Sequence, residues 1–266
     1  MADTDFRLFA ITRNRKLFED RMSEPIHAQV FEVDLLKDDV QDGVGLPDID
    51  ASFYFTQVPA LDDDVNLRVE LLCLRNFIRL IKRLRCNRLV YVTELTDRRS
   101  IEPILDLLRE FQIDYTVVLK NLVVGKDCWL YHVYQQLSSR KIIFYSNQYS
   151  GKLLQPIGIH DLVRWLKAIL YVPNFHYNVL EVGGGEVIST VDLYRLYRKL
   201  TSKLNLQRMV SLPNWLFALL YRKGTNGRTA TMSFLNAIQI DGKVENNWDA
   251  YLTFSFTPLK EILLAE

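Results

Sequence analysis

Apolar and polar positions along the chain fall into two alternating patterns. Short unbroken apolar runs, "RLFAIT", "AQVFEV", "ASFYFT", "RLVYVT" and "YTVVL", predict buried strands. A strand covered on both faces has no polar side to show, and these runs are rich in β-branched and aromatic residues. Between them lie longer stretches whose apolar residues recur three and four apart. "RKLFEDRM" predicts a short helix, "NLRVELLCLRNFIRLIKRLR" a long one and "IEPILDLLREFQ" a third. Strands alternating with such helices predict a parallel sheet covered on both sides. Right-handed crossovers then bring every strand's carboxyl end to one edge, where ligands bind.

After Gly125 the pattern changes character. "CWLYHVYQQLSS" reads as an amphipathic helix, "KIIFYS" as a short strand and "YSGKLLQPIG" as a turn-rich connector. "IHDLVRWLKAIL" predicts a helix with His160 or Asp161 near its start, and Asp161 is expected to cap or begin it. "YNVLEVG" is a further strand, and "STVDLYRLYRKLTSKL" a helix capped by Ser189 or Thr190. The stretch from "RMVSLPNWLFALLYRKG" onward fits a smaller helical lobe. No repeat, long linker or low-complexity tract interrupts the chain.

Composition narrows the classes of function. Of 266 residues, 48% are apolar and 24% charged, as in ordinary globular proteins with a sizeable core. A net charge of +1 gives no reason to invoke nucleic acid or an anionic membrane. The basic stretch "RNFIRLIKRLRCNR" interleaves its charges with apolar residues at helical spacing and reads as a solvated helix face. Cys73, Cys86 and Cys128 are odd in number and lack paired short spacing, which argues against a disulfide framework or a zinc site. No stretch approaches the ~20 apolar residues that span a bilayer. A reducing, cytoplasmic location is expected. His27, His132, His160 and His176 show no metal-ligand spacing, and no strand-to-helix G-x-S-x-G elbow occurs.

Several local phrases carry a likeness in a fixed order. "FAITRN" places an arginine, Arg13, at a strand end; "FEVDLLKDDV" places Asp34 after the next strand. "RLVYVTEL" ends a strand on Thr93, and "YTVVLKNLVVG" leads from a strand into Lys120 and Asn121. "LLQPIGIHDLVRWLKAIL" and "YNVLEVGGGEVISTVDLYRLYRKL" follow. From about residue 7 to 223 this order resembles the atypical, extended branch of the short-chain dehydrogenase/reductase superfamily, and within it the NmrA-like and YbjT-like NAD(P)-binding proteins. The resemblance implies a Rossmann-like α/β fold. Here that means a truncated parallel sheet flanked by helices, with a small C-terminal helical lobe. Residues 1–158 would form the truncated core, and 159–266 a C-terminal region with sheet-associated elements and the lobe. It also implies roles for a bound NADP or NAD. Arg13 would meet an adenosine 2′-phosphate, and Asp34 the adenine amine unless it caps a helix starting at Leu35. Thr93 would lie beneath the nicotinamide, with Lys120 and Asn121 facing the crevice.

The departures from that family bear on function. Its opening strand, glycine-rich turn and helix cradle the pyrophosphate on unpaired backbone N–H groups, and this sequence starts after them. The later "VGGGE" lacks the spaced glycines and reads as a tight connector. The superfamily's tyrosine and lysine, four positions apart, are missing after "VYVTEL". Tyr149 and Lys152 come near that spacing but far too late in the chain. No catalytic residue and no metal ligand are therefore expected. The sequence leads to the expectation of a non-catalytic, cofactor-free pseudoenzyme serving as a protein-interaction or scaffold subunit. Its partner, or a second copy, would dock on an open sheet edge and on the aromatic tail holding Trp248, Tyr251, Phe254 and Phe256. The alternative is an NAD(P)-dependent oxidoreductase or an NmrA-like nucleotide sensor.

Overall fold

The computed structural model describes residues 6–22, 27–37, 45–126, 128–138, 141–146, 151–201, 208–213, 215–216 and 242–264. Along these run β1 (Phe9–Thr12), α1 (Arg15–Asp20), β2 (Gln29–Glu32), β3 (Ser52–Phe55), α2 (Asp64–Arg83) and β4 (Arg88–Glu94). A 3₁₀ turn at Leu95–Ser100 leads to α3 (Glu102–Glu110), β5 (Asp114–Lys120), β6 (Val123–Val124), α4 (Trp129–Ser138), β7 (Ile142–Ser146), β8 (Leu153–Leu154) and β9 (Ile157–Gly158). The chain continues through α5 (Ile159–Ile169), β10 (Asn178–Val182), β11 (Ile188–Ser189), α6 (Thr190–Thr201), β12 (Arg208–Leu212) and α7 (Leu259–Leu264). This is the expected Rossmann-like α/β order, with a helical C-terminal segment. The remainder of the predicted lobe, residues 217–241, lies outside the described residues.

The principal sheet has the strand order β10-β5-β4-β3. Helices α2 and α3 connect β3 to β4 and β4 to β5, the crossovers that parallel neighbours need. β10 lies parallel to β5, from Asn178 opposite Thr116 to Val182 opposite Lys120. β1 and β2 form a separate parallel pair, from Phe9 opposite Gln29 to Thr12 opposite Glu32. The chain divides into two compact units, Met1–Tyr91 with Arg99–Tyr115 and Val92–Arg98 with Thr116–Glu266.

In the first unit α2 is the organising element. Asp63 caps it by accepting from Val65 N (3.0 Å) and Asn66 N (2.9 Å), and Lys82 and Arg83 close its last turn. The three-and-four spacing buries Cys73, Leu74, Phe77, Ile78, Leu80 and Ile81 and leaves Arg75, Arg79, Lys82 and Arg83 exposed. The basic residues on the helix thus form a solvated face, whereas Arg88, the last of the basic stretch, is buried in β4 against Asp114 (3.2 Å). Val33 and Leu80 form a small cluster with Ile11, Phe31, Leu35, Leu46 and Leu84, which seats the β1–β2 pair on the helix's second half.

In the second unit α4, α6 and α7 bury Leu130, Val133, Tyr134, Leu193, Tyr194, Tyr197, Leu259 and Leu263 together. Part of the aromatic tail covers its own unit. Trp248 is buried edge-on to Trp165 of α5 (5.6 Å) and against Phe256 (5.8 Å), while Tyr251 stays exposed. Asp161 does not cap α5, whose N-cap is Gly158. It sits in the first turn, beginning the helix rather than capping it, and there it is buried and accepts from Thr257 N (2.7 Å) and Thr257 Oγ1 (3.1 Å), with Arg164 at 3.1 Å. The tail passes over the helix there, and its backbone N–H needs an acceptor.

Candidate functional site

In the first unit the site begins where β1 and β2 end side by side. Asn14 caps α1 by accepting from Leu17 N (2.8 Å), which leaves Arg13 at the junction between strand and helix. Its guanidinium is exposed, and among the described residues no hydrogen bond or ion pair holds it. Asp34 lies two residues beyond β2 and is half-buried. One of its carboxylate oxygens accepts from Leu36 N (3.1 Å), and Lys37 N donates to its carbonyl (3.3 Å). Asp34 therefore shapes a turn: residues 35–37, where the helix was expected to begin, are turn residues, and residues 38–44 lie outside the described ones. Burial pushes the Cys73 thiol pKa up, Asp34 adds to that rise and Arg13 opposes it, so both charges act at one locus.

Two buried polar residues of this unit escaped the sequence reading. Glu70 of α2 is fully buried and accepts from Gln57 N (2.9 Å) and from the Tyr91 hydroxyl (3.1 Å). Thr56 donates to the same tyrosine (3.3 Å), and the Tyr54 ring stacks on it (5.6 Å, 13°). Burial holds the Glu70 carboxyl above the usual glutamate range, against the hydrogen bonds that favour its charge. Asn76, one and two-thirds turns on, donates to Leu35 O (3.0 Å) and Lys37 O (3.1 Å). The available signal was an acid at a core-facing position in "RVELLCL" and an amide in "LRNFI".

In the second unit the site is the carboxyl end of β4 and β5. Thr93 is buried and donates its proton to the Asp97 carboxylate, so its hydroxyl can only accept from a ligand. Lys120 pairs with Glu94, and Asn121 is buried, accepting from Leu122 N (2.7 Å) and donating to Gly242 O. The backbone N–H of Asn121 donates to Val182 O at 2.8 Å, tying the end of β10 to the same edge. The structure thus brings Thr93, Lys120 and Asn121 together in one unit, and Arg13 with Asp34 in the other. The glycine run after β10 serves packing. A Cβ on Gly184 would sit deep inside the van der Waals shell of the Pro156 carbonyl oxygen, and Gln155 donates to Gly184 O at 2.8 Å. Among the described residues no His, Cys, Asp and Glu cluster could hold a metal ion.

No protein-family model and no curated protein sequence matches the chain. Solved structures do. A nucleoside-diphosphate-sugar epimerase from Staphylococcus aureus superposes with a TM-score of 0.67 at 13% identity, over 96% of this chain and 90% of its own. UDP-glucuronic acid 4-epimerase from Bacillus cereus, in complex with UDP-glucuronic acid and NAD, gives 0.65 at 15% identity over 99% and 90%. Triphenylmethane reductase from Citrobacter sp., complexed with NADP(H), gives 0.65 at 14% over 96% and 88%. At these identities the likeness is one of fold: the chain has the Rossmann-like fold of the extended dehydrogenase/reductase proteins, as its motifs implied.

The same comparisons correct the expected function. Of these three structures, which share the fold over nearly the whole chain, two are epimerases and one a reductase, and two are complexes with a nicotinamide nucleotide. The readings of a scaffold subunit, a pseudoenzyme, a non-enzyme and a protein without cofactor are withdrawn. They rested on motifs missing from the sequence.

Proposed function

We propose that the chain is an NAD(P)-dependent oxidoreductase of the epimerase–reductase type. The observation that carries this is Arg13, an exposed guanidinium at the end of β1, with Asp34 beyond the paired strand β2. This donor set fits the adenosine side of a dinucleotide: a planar fork for a 2′-phosphate and a carboxylate for the adenine amine. When bound, the nicotinamide ring supplies hydride chemistry. In the second unit, taken by itself, Thr93 offers a hydrogen-bond acceptor at the end of β4, and Lys120 and Asn121 offer polar groups for a reacting substrate. Lys120 carries the positive charge suited to a carbonyl oxygen that gains electrons. A reducing, cytoplasmic location belongs to the same proposal, with Cys73, Cys86 and Cys128 as free thiols. Among the described residues no helix is long and apolar enough to cross a membrane.

One observation favours a second reading. Thr93 and Lys120 are already engaged by Asp97 and Glu94, an arrangement suited to sensing a nucleotide without turning it over. Turnover separates the two. Reduced cofactor is incubated with the chain and a panel of quinones, aldehydes and nucleotide sugars, and its absorbance is followed. Protein-dependent oxidation of the cofactor, or epimerisation of a nucleotide sugar with the cofactor regenerated, supports the enzyme, and binding with neither supports the sensor. Neither binding nor turnover with NADPH or NADH overturns both.

A further inference from the structure

Helix α2 carries two side chains that packing alone would make apolar. Glu70 and Asn76 are both essentially inaccessible to solvent, and neither caps the helix. A buried polar group without a partner is costly, and both of these reach backbone outside their own helix. Asn76 Nδ2 donates to Leu35 O and Lys37 O at 3.0 and 3.1 Å, and Arg79 donates to its carbonyl oxygen at 3.5 Å. Those carbonyls belong to the turn that displays Asp34. Glu70 accepts from Gln57 N at 2.9 Å, in the loop that leaves β3, and its other oxygen accepts from Tyr91 at 3.1 Å. Loops after the carboxyl ends of parallel strands are where such sheets hold ligands. β2 and β3 belong to different hydrogen-bonded sheets, so no ladder fixes one of these loops against the other. The two N–H donors of the Asn76 amide and the carboxyl of Glu70, on one rigid helix, do.

We infer that Glu70 and Asn76 are positioning residues that preset the nucleotide rim of the first unit for an adenosine phosphate. Asn76 sets the Asp34 turn and Glu70 sets the loop after β3. The inference rests on the function proposed above. Its physical basis is preorganisation: a loop already held in its binding geometry loses less freedom when the ligand arrives. Neither residue touches the ligand; both act through the backbone they hold.

The test uses the full chain with two probes, NADPH and adenosine 2′,5′-bisphosphate, titrated calorimetrically into wild type, Asn76→Ala, Glu70→Ala and Glu70→Gln. Both alanine variants should weaken each probe about tenfold. Glu70→Gln keeps a carbonyl acceptor for Gln57 N and should stay near wild type, a rescue that bulk and packing loss alone would not produce. Amide exchange supplies the second measurement, on the unliganded wild type and therefore independent of whether a variant folds. The amides of Leu36, Lys37 and Gln57 should be protected before any nucleotide is added. Exchange there at open-loop rates, or folded alanine variants that bind as wild type does, overturns the inference alone. A wild type with protected amides that binds neither probe defeats the proposed function, and this positioning role with it.

Discussion

Arg13 is the residue whose chemistry decides most. An exposed guanidinium at a strand end costs nothing to keep, and its fixed fork suits a phosphate monoester better than a lysine would. Hydrogen bonds to charged groups contribute roughly 1.5–3 kcal/mol, so Arg13→Ala should weaken NADPH by about ten- to a hundredfold. NADH, which lacks the 2′-phosphate, should change little; equal losses for both nucleotides would remove Arg13 from that role. Glu70 makes a different prediction, one of pH. Burial raises its folded-state pKa above the unfolded value, so the native state holds the proton more tightly. Its contribution to stability is then fully present at acid pH below the usual glutamate range, and is lost as pH rises through the raised value. Urea midpoints of the wild type should carry that downward component with rising pH, and Glu70→Gln should flatten it. A variant whose pH profile parallels the wild type would show that Glu70 titrates normally. The residue was hidden from the sequence because an acid in a helix is ordinarily solvated. Only the tertiary position of Gln57 and Tyr91 shows why this one is not.

At the level of elements, two connections hold the second unit's edges. Gly184 lets the chain leaving β10 pass against the Pro156 carbonyl, so Gly184→Ala should cost about 1–3 kcal/mol through a backbone clash that no rotamer relieves. A thermal melt unchanged from wild type would mean the connector can shift aside. Asp161→Ala strips the acceptor from Thr257 N and Oγ1 and should cost about 1–3 kcal/mol, with proteolysis appearing first in the tail around Thr257. Unaltered proteolysis there would contradict the anchoring role. The strands and helices of the described residues were legible because burial imposes its period directly on the sequence. "RLVYVT" could only be a strand covered on both sides, and α2 shows its core face in its spacing. Caps and turns were less legible. Asp161 looks like a helix cap by position, yet its acceptor capacity is spent on a segment nearly a hundred residues away. Asp34 likewise reads as a cap and acts in a turn. Local chemistry offers such carboxylates several partners, and only the folded neighbourhood selects one.

For the whole molecule, the order of the motifs carried the fold, because each strand–helix unit constrains the next. Function was less legible, and the sequence pointed the wrong way. A missing glycine loop and a missing tyrosine–lysine pair say which known devices are not written in this stretch of sequence. They do not say which residues hold a ligand in the fold that remains. Arg13 and Asp34, and separately Thr93, Lys120 and Asn121, are brought side by side by strand pairing and helix packing across separations no local motif spans. The central claim is that this fold takes a nicotinamide nucleotide, and calorimetric titration of NADPH into the full chain tests it most directly. Saturable heat with a dissociation constant on the order of micromolar, and weaker binding of NADH, is the predicted result. A flat titration with both nucleotides up to about millimolar concentration would contradict it.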